Sequence, residues 1–410
     1  MERYGVGSGP GPRAVNIFPT IREKEKKIMK KTIAFVMAIM MVMTLFAGCG
    51  AKAEPADANV VKIGMSGPLT GGAAVYGTAV KAGMEIAVEE INAKGGLQIE
   101  FNGQDDEADG EKGVSAYNNL KDWGMQIFAG AVTSGASLAI ASEAAADQIF
   151  MLTPSASMPE VATTGSNIFQ MCFTDPNQGG SAAELMAQKW ADATIGVIYD
   201  NSDEYSSGLF AGFDAKAKEL NLNVAVVETF AKGYSDLNTQ VTKCKEAGCD
   251  LVFLPIYYTE ASLILTYADT IGYEPTFFGC DGMDGVLAVE GFNTELAEGL
   301  ALMTPFDANA TDDATVSFVT KFVEKTGEVP NQFAADAYDV IYAIYDACVA
   351  KGIDGNTSAA DACAALTEWF VACEGFDGLT GKGMTWDENG MISKIPAAVV
   401  ITDGVYVPMN

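Results

Sequence analysis

Residues 126–152 read QIFAGAVTSGASLAIASEAAADQIFML. Two short apolar runs, "QIFAG" and "QIFML", flank a stretch with helical spacing over Ser137–Asp147. A strand buried on both faces shows no polar alternation, and a helix crossing between two such strands builds a parallel sheet. The alternation continues in both directions. Upstream, "VVKIGM" (60–65) precedes a helix from about Val80 to Ala93, and "LQIEFN" precedes one over Gly110–Trp123. Downstream, "TDPNQGG" (174–180) leads to a helix over Ser181–Trp190 and the strand "TIGVIY" (194–199). The runs "VAVVETF", "DLVFLP", "TFFG" and "LALMT" follow, with helices between them. From Asp307 to about Ala372 the pattern is mainly helical, and short strands such as "AAVVI" close the chain. These patterns predict an α/β fold of two doubly wound parallel-sheet lobes, with the helical segment packed back onto them.

Composition narrows the function. With 410 residues and 49% hydrophobic side chains, the chain fills a core large enough for two lobes. The 54 acidic against 25 basic residues argue against nucleic acid as a partner. There is no histidine, which removes Ser-His hydrolases, His-ligated zinc and histidine acid–base catalysis. No S-x-x-K, G-x-S-x-G or complete phosphate-loop motif occurs, so the sequence predicts no enzyme and implies no cofactor or metal. Seven cysteines follow Cys49, an odd number, with no C-x-x-C spacing. Buried free thiols and disulfides both remain open, and Cys363–Cys373 and Cys244–Cys249 are the short-range pairings available.

The N-terminal region reads as a targeting device. Met29-Lys30-Lys31 opens a cationic start, and "TIAFVMAIMMVMTLFAG" leads to Cys49. That apolar run is short for a membrane span of about 20 residues and fits a signal peptide. "LFAGCG" resembles a bacterial lipobox, with Phe46 where leucine is usual; this implies lipidation at Cys49 and an extracytoplasmic, membrane-anchored lipoprotein. Residues 1–48 are thus expected to be removed, with Met29 as the start and 1–28 upstream of it. Residues 49–59 form a polar tether.

Ligands in parallel sheets bind beyond the carboxyl ends of strands. Here those ends carry "SGPLTGGAAVYG", "AVTSGAS", "TPSASMP" and "GCDGMDG". Small and hydroxylated residues expose main-chain N–H groups, and helix N-termini behind them favour a carboxylate. The plainer alternative is that Ser134, Ser137 or Ser157 only cap the structure after them. Asp281, flanked by glycines, is expected to face this rim from the other lobe, and an acid opposite an anion site suits a zwitterion. Tyr76, Tyr205, Tyr257 and Phe333 fall near strand–helix junctions, as core or as ligand lining.

The order and spacing of "KIGMSGPLTGGAAVYG", "AVEEINAKGGLQ", "LTPSASMPE", "FTDPNQGG", "IGYEPTFFG", "FDGLTG" and "TWDENG" carry a specific likeness. Over residues 60–402 the chain resembles the leucine/isoleucine/valine-binding family of ABC-transporter solute-binding proteins, with the type I periplasmic-binding fold. The resemblance implies a small amino-acid ligand, branched-chain or otherwise neutral, and a permease partner. It places the carboxylate on Ser134 and on Ser155, Ala156 and Ser157, and the ammonium on Asp281, one methylene shorter than the family's usual glutamate. Tyr257 or a water would then share that task, while Tyr76, Tyr205 and Phe333 match the aromatic lining. It further implies a three-strand hinge near Thr174–Pro176, Thr304–Phe306 and Gly383–Trp386. Lobe 1 is then 60–175 plus 307–383, and lobe 2 is 176–306 plus 384–410. An amide, an aromatic acid or a ligand-sensing role on the same fold is the alternative.

Overall fold

A computed structural model describes residues 58–409. The signal segment, Cys49 and most of the tether lie outside the described residues. Five strands, β1 (Val60–Gly67), β2 (Gln98–Asp105), β3 (Ile127–Phe128), β4 (Phe150–Thr153) and β5 (Ile168–Gln170), form a wholly parallel sheet in the order β2-β1-β3-β4-β5. β3 and β4 are buried throughout, as their unbroken apolar sequences require. The crossovers are helices α1 (Ala74–Lys94), α2 (Gly110–Trp123), α3 (Ser134–Asp147) and the short α4 (Pro159–Thr163).

The second sheet holds β6 (Thr194–Asp200), β7 (Asn223–Phe230), β8 (Leu251–Leu254), β9 (Thr276–Gly279), β10 (Ala301–Thr304), β11 (Ala397–Thr402) and β12 (Val405–Pro408), in the order β12-β11-β10-β9-β8-β6-β7. β11 and β12 are antiparallel, so this sheet is mixed where the sequence reading has it parallel. Its helices are α5 (Asp175–Lys189), α6 (Glu204–Leu220), α7 (Asn238–Glu246) and α8 (Tyr258–Thr270). Helices α9 (Asp313–Thr326), α10 (Gln332–Lys351) and α11 (Ala359–Ala372) return to the first sheet: Phe370 of α11 packs on Phe150 and Phe169.

Helix α5 begins six residues before the sequence pattern predicts. Adjacent glycines at 179 and 180 look like a break. They lie inside the helix instead, because a β-carbon at Gly179 would sit 2.3 Å from Leu209 O and 2.6 Å from Phe213 N of α6. The glycine lets two helix backbones approach closely.

The third passage between sheets also falls later than the expected Gly383–Trp386. Trp386 Nε1 donates to Gln170 O at 2.8 Å, and Gln170 N donates to Gly390 O at 2.9 Å. Residues 386–390 therefore cover the open edge of β5, which would otherwise present unpaired backbone groups. The chain leaves the first sheet only after Ile392. Just beyond, Lys394 is pinned by Asp336 of α10 and by Thr380 Oγ1 at 2.6 Å, with lysine and aspartate side chains each 2% exposed. Asp339, one turn on, accepts from Leu379 N, Thr380 N and Thr380 Oγ1.

Removing one partner of a buried ion pair leaves an uncompensated charge. Lys394→Met should lower unfolding free energy by about 3–5 kcal/mol in urea titrations. The double variant Lys394→Met/Asp336→Leu should recover most of that loss.

Candidate functional site

The carboxyl ends of both sheets face one another across a cleft. On the first lobe, β3 and β4 end in two loops that lock together. Thr153 Oγ1 donates to Ala131 O at 2.6 Å and accepts from Ala156 N at 3.0 Å, and Ser155 Oγ donates to Val132 O at 2.7 Å. Gln170 Nε2 holds Ala156 O and Met158 O from behind. Helix α3 starts at Ser134, with Thr133 in the N-cap position and no side-chain capping bond; α4, after Met158, has none either. The capping alternative for Ser134, Ser137 and Ser157 is therefore not what the structure shows.

On the second lobe, Asp281 opens a tight turn, Asp281–Met283, after β9. Its backbone N–H donates to Gln178 Oε1 at 3.0 Å, and Tyr205 Oη donates to its Oδ1 at 2.6 Å. Gly282 N donates to the same Tyr205 oxygen at 2.8 Å. The carboxylate is 3% exposed, and burial raises its pKa to about 6 against the hydrogen bonds from Tyr205 and Gln178. Asp284 is raised to about 7 by burial, although it accepts from Gln332 N at 2.8 Å. Asp175, at the start of α5, is wholly buried and neither oxygen has a hydrogen bond within ordinary limits. Burial drives its pKa well up, the nearby Ser157 hydroxyl moderates that rise, and the charge of Asp281 adds to it.

An aromatic cluster closes the cleft. Tyr205 stacks on Tyr257 at 4.9 Å and 6°, while Tyr76 meets Tyr257, Tyr258 and Phe333 with centroids 5.5, 4.8 and 4.6 Å away. The Tyr76 hydroxyl donates to Gly282 O and accepts from Tyr258 N, so one side chain bridges the lobes.

Seven of the nine residues singled out from sequence line one cavity: Tyr76, Ser134, Ser155, Tyr205, Tyr257, Asp281 and Phe333. Ala156 and Ser157 are wholly buried and do not line it. Val132, Thr133 and Gly282, all within the strand-end loops quoted from sequence though not singled out there, complete the wall; Gln178 and Asp175 beneath it escaped the sequence reading. Free space is only about 20 Å³, room for roughly one water, so this is a closed conformation whose lobes must part to admit a solute. Thr133 and Tyr257 also border a wider chamber of about 370 Å³ nearer solvent, lined by Glu107, Asp109, Asp203, Glu204 and Glu260 with Lys232 among them. Lys232 Nζ crosses to Ala108 O at 3.1 Å. Among the described residues no cluster has the makings of a metal site.

Comparison with known proteins agrees with this geometry. Residues 60–404 match the model of a family described as periplasmic binding protein. A leucine-, isoleucine-, valine-, threonine- and alanine-binding protein of Pseudomonas aeruginosa is 29% identical, covering 80% of this chain and 86% of its own. The Leu/Ile/Val-binding protein of Escherichia coli is 27% identical over 84% and 92%. Among solved structures, a leucine-binding protein of Thermotoga maritima superposes with a TM-score of 0.75 at 28% identity, covering 85% of this chain and 98% of that one. A branched-chain amino acid transporter substrate-binding protein of Streptococcus pneumoniae, solved with isoleucine, gives 0.74 at 26%, over 85% and 100%.

The buried carboxyls set a pH response for the unliganded protein. Asp281 and Asp284 have folded pKa values of about 6 and 7, and Asp175 is also raised. A raised acid contributes stability below its unfolded pKa and loses it as pH climbs through the folded value. Unfolding free energy should fall as pH rises from about 4, the unfolded carboxyl value, to about 7, on the order of 1 kcal/mol or more per carboxyl, and level off above that. Asp284→Asn should flatten the profile in urea unfolding.

Proposed function

The chain belongs to the periplasmic binding protein family, and on that premise we propose that it is the solute-binding component of an ABC importer, gripping a neutral amino acid between its lobes. The observation carrying this reading is Asp281, 3% exposed, whose carboxylate accepts from Tyr205 and whose main-chain N–H is held by Gln178, facing the Ser134 and Ser155 loops across a cavity. A buried charge without a cation calls for one. The ligand's ammonium would supply it, while the main-chain N–H groups starting α3 and the hydroxyl-rich loop take the carboxylate. Branched side chains suit the aromatic wall, and relatives of this chain are named for binding leucine, isoleucine and valine.

Closure is then a matter of differential affinity. A solute touching both lobes stabilises the closed form in which both ends are held. That form docks on a permease. Lipidation at Cys49 would keep the protein at the membrane surface, and the family's extracytoplasmic placement agrees with this. No enzymatic step is assigned to the site. An aromatic or amide ligand lacking an ammonium group would leave Asp281 without a counter-charge, which separates the two readings.

Isothermal titration against the twenty amino acids should give heat with a neutral aliphatic member, and silence with all of them would defeat the reading. Asp281→Asn should weaken binding by about 2–5 kcal/mol. In the parent, binding needs Asp281 ionised while the ammonium stays charged. Affinity should therefore hold above about pH 6 and drop towards tenfold per unit below it, with no such slope in Asp281→Asn.

A further inference from the structure

Far from the cleft, the second lobe holds two thiols in contact. Helix α7 ends at Glu246 with Ala247 as its C-cap, and Gly248 follows with φ +71°. Gly248 N donates to Lys245 O and Cys249 N donates to Cys244 O, each at 3.1 Å. This pair of bonds is the Schellman ending, which brings the third residue from the helix end against the second one beyond it. Those two positions normally meet through apolar side chains. Here both are cysteines.

Both are buried, at 0% and 3% exposure, and neither is bonded to another cysteine in the structure. A β-carbon placed on Gly196 of β6 would lie 2.9 Å from Cys244 Sγ and 3.1 Å from Cys249 Sγ, so the sulfurs are no further than about 6 Å apart. Each acts on the other's ionisation as a hydrogen-bonding neighbour. Gly196 is side-chain-free where the pair needs room.

We propose that Cys244 and Cys249 are a redox modification site, forming a disulfide that fastens the end of α7 to the start of β8. The oxidant is a second disulfide, that of a dithiol oxidase or of oxidised glutathione. One cysteine thiolate attacks a sulfur of that disulfide, forming a mixed disulfide and expelling one thiolate. The other cysteine then attacks the protein-side sulfur and expels the second. One protein S–S bond replaces the external one, two external thiols appear, and the protein loses two hydrogens. Burial pushes Cys244 up to about 12 and raises Cys249 too, so the folded thiols react slowly. The bond is therefore made while the chain is still unfolded. The proposal draws on the extracytoplasmic placement for its oxidant and is independent of what the cleft binds. Cys249 precedes the end of β8 opposite Ile256 and Tyr257, so the bond leaves the cleft untouched.

The test is refolding of the urea-denatured chain in a glutathione redox buffer, followed by acid quenching, denaturation, labelling with N-ethylmaleimide and peptide mapping. The expected product is a Cys244–Cys249 peptide lighter than the dithiol by two hydrogens and unlabelled at both sites. Reduction should then lower Tm by about 2–5 °C, with amino-acid affinity unchanged. Full labelling of both cysteines after oxidative refolding, or pairing of either with a third cysteine, overturns the proposal. A Cys249→Ser variant should carry Cys244 only as the labelled thiol or as its glutathione mixed disulfide, never in an intramolecular bridge; because mapping reads the denatured chain, a variant that folds poorly still answers. Loss of ligand binding in the oxidised protein would count against the claimed separation from the cleft, and absence of binding in both redox states would bear on the proposed ligand alone.

Discussion

Taking a carboxylate out of water demands a proton, a cation or a set of donors, and the floor of the cleft is organised around that cost. Asp336 has Lys394. Asp281 and Asp284 have donors but no ion pair among the described residues, and Asp175 has neither. The lobes close over acids whose charge burial disfavours. On the proposed reading an incoming ammonium would supply the missing counter-charge at Asp281, where the geometry is already set by Tyr205 and by Gln178. Pre-setting the acceptor means that little order remains to be created when the solute arrives.

The aromatic wall is the other half of the device. Tyr76 reaches from α1 to Gly282 O, and the Tyr258 hydroxyl accepts from Val75 N at 3.1 Å. Thr259 Oγ1 reaches Gly72 O at 2.7 Å. These bonds join the lobes without a ligand, and they surround a space too small for one. On the proposed reading a solute would replace the mutual contacts of Tyr76, Tyr205, Tyr257 and Phe333 with its own apolar surface while leaving the bridging bonds able to re-form. That requirement would select for size and shape, as Asp281 would for charge.

Much of this was legible in the chain. Doubly buried strands such as "QIFML" declare themselves as unbroken apolar runs, and the strand-end loops together with the aromatics near strand–helix junctions hold seven residues that line one cavity. What sequence reading missed follows a physical pattern. Helix α5 was started late because glycines signal breaks unless a neighbouring helix needs the room. β12 alternates exposed and half-buried residues at a sheet edge, so "VYVP" carries no core signal. Ser157 looks like a lining residue by position yet lies behind the wall. Asp175 and Gln178, three apart at a helix start, resemble ordinary polar helix-opening residues; only the folded backbone shows that one face of that turn is buried under Asp281.

The path of the last hundred or so residues has one more outcome. The first sheet is spelled out by residue 170, but its covering helices come from 313–372 and the cover of its β5 edge from 386–390. The second sheet waits for β11 and β12, at the very end of the chain. Neither half can finish until the C-terminus is available. A nascent chain that has not yet delivered this tail therefore lacks part of both halves at once.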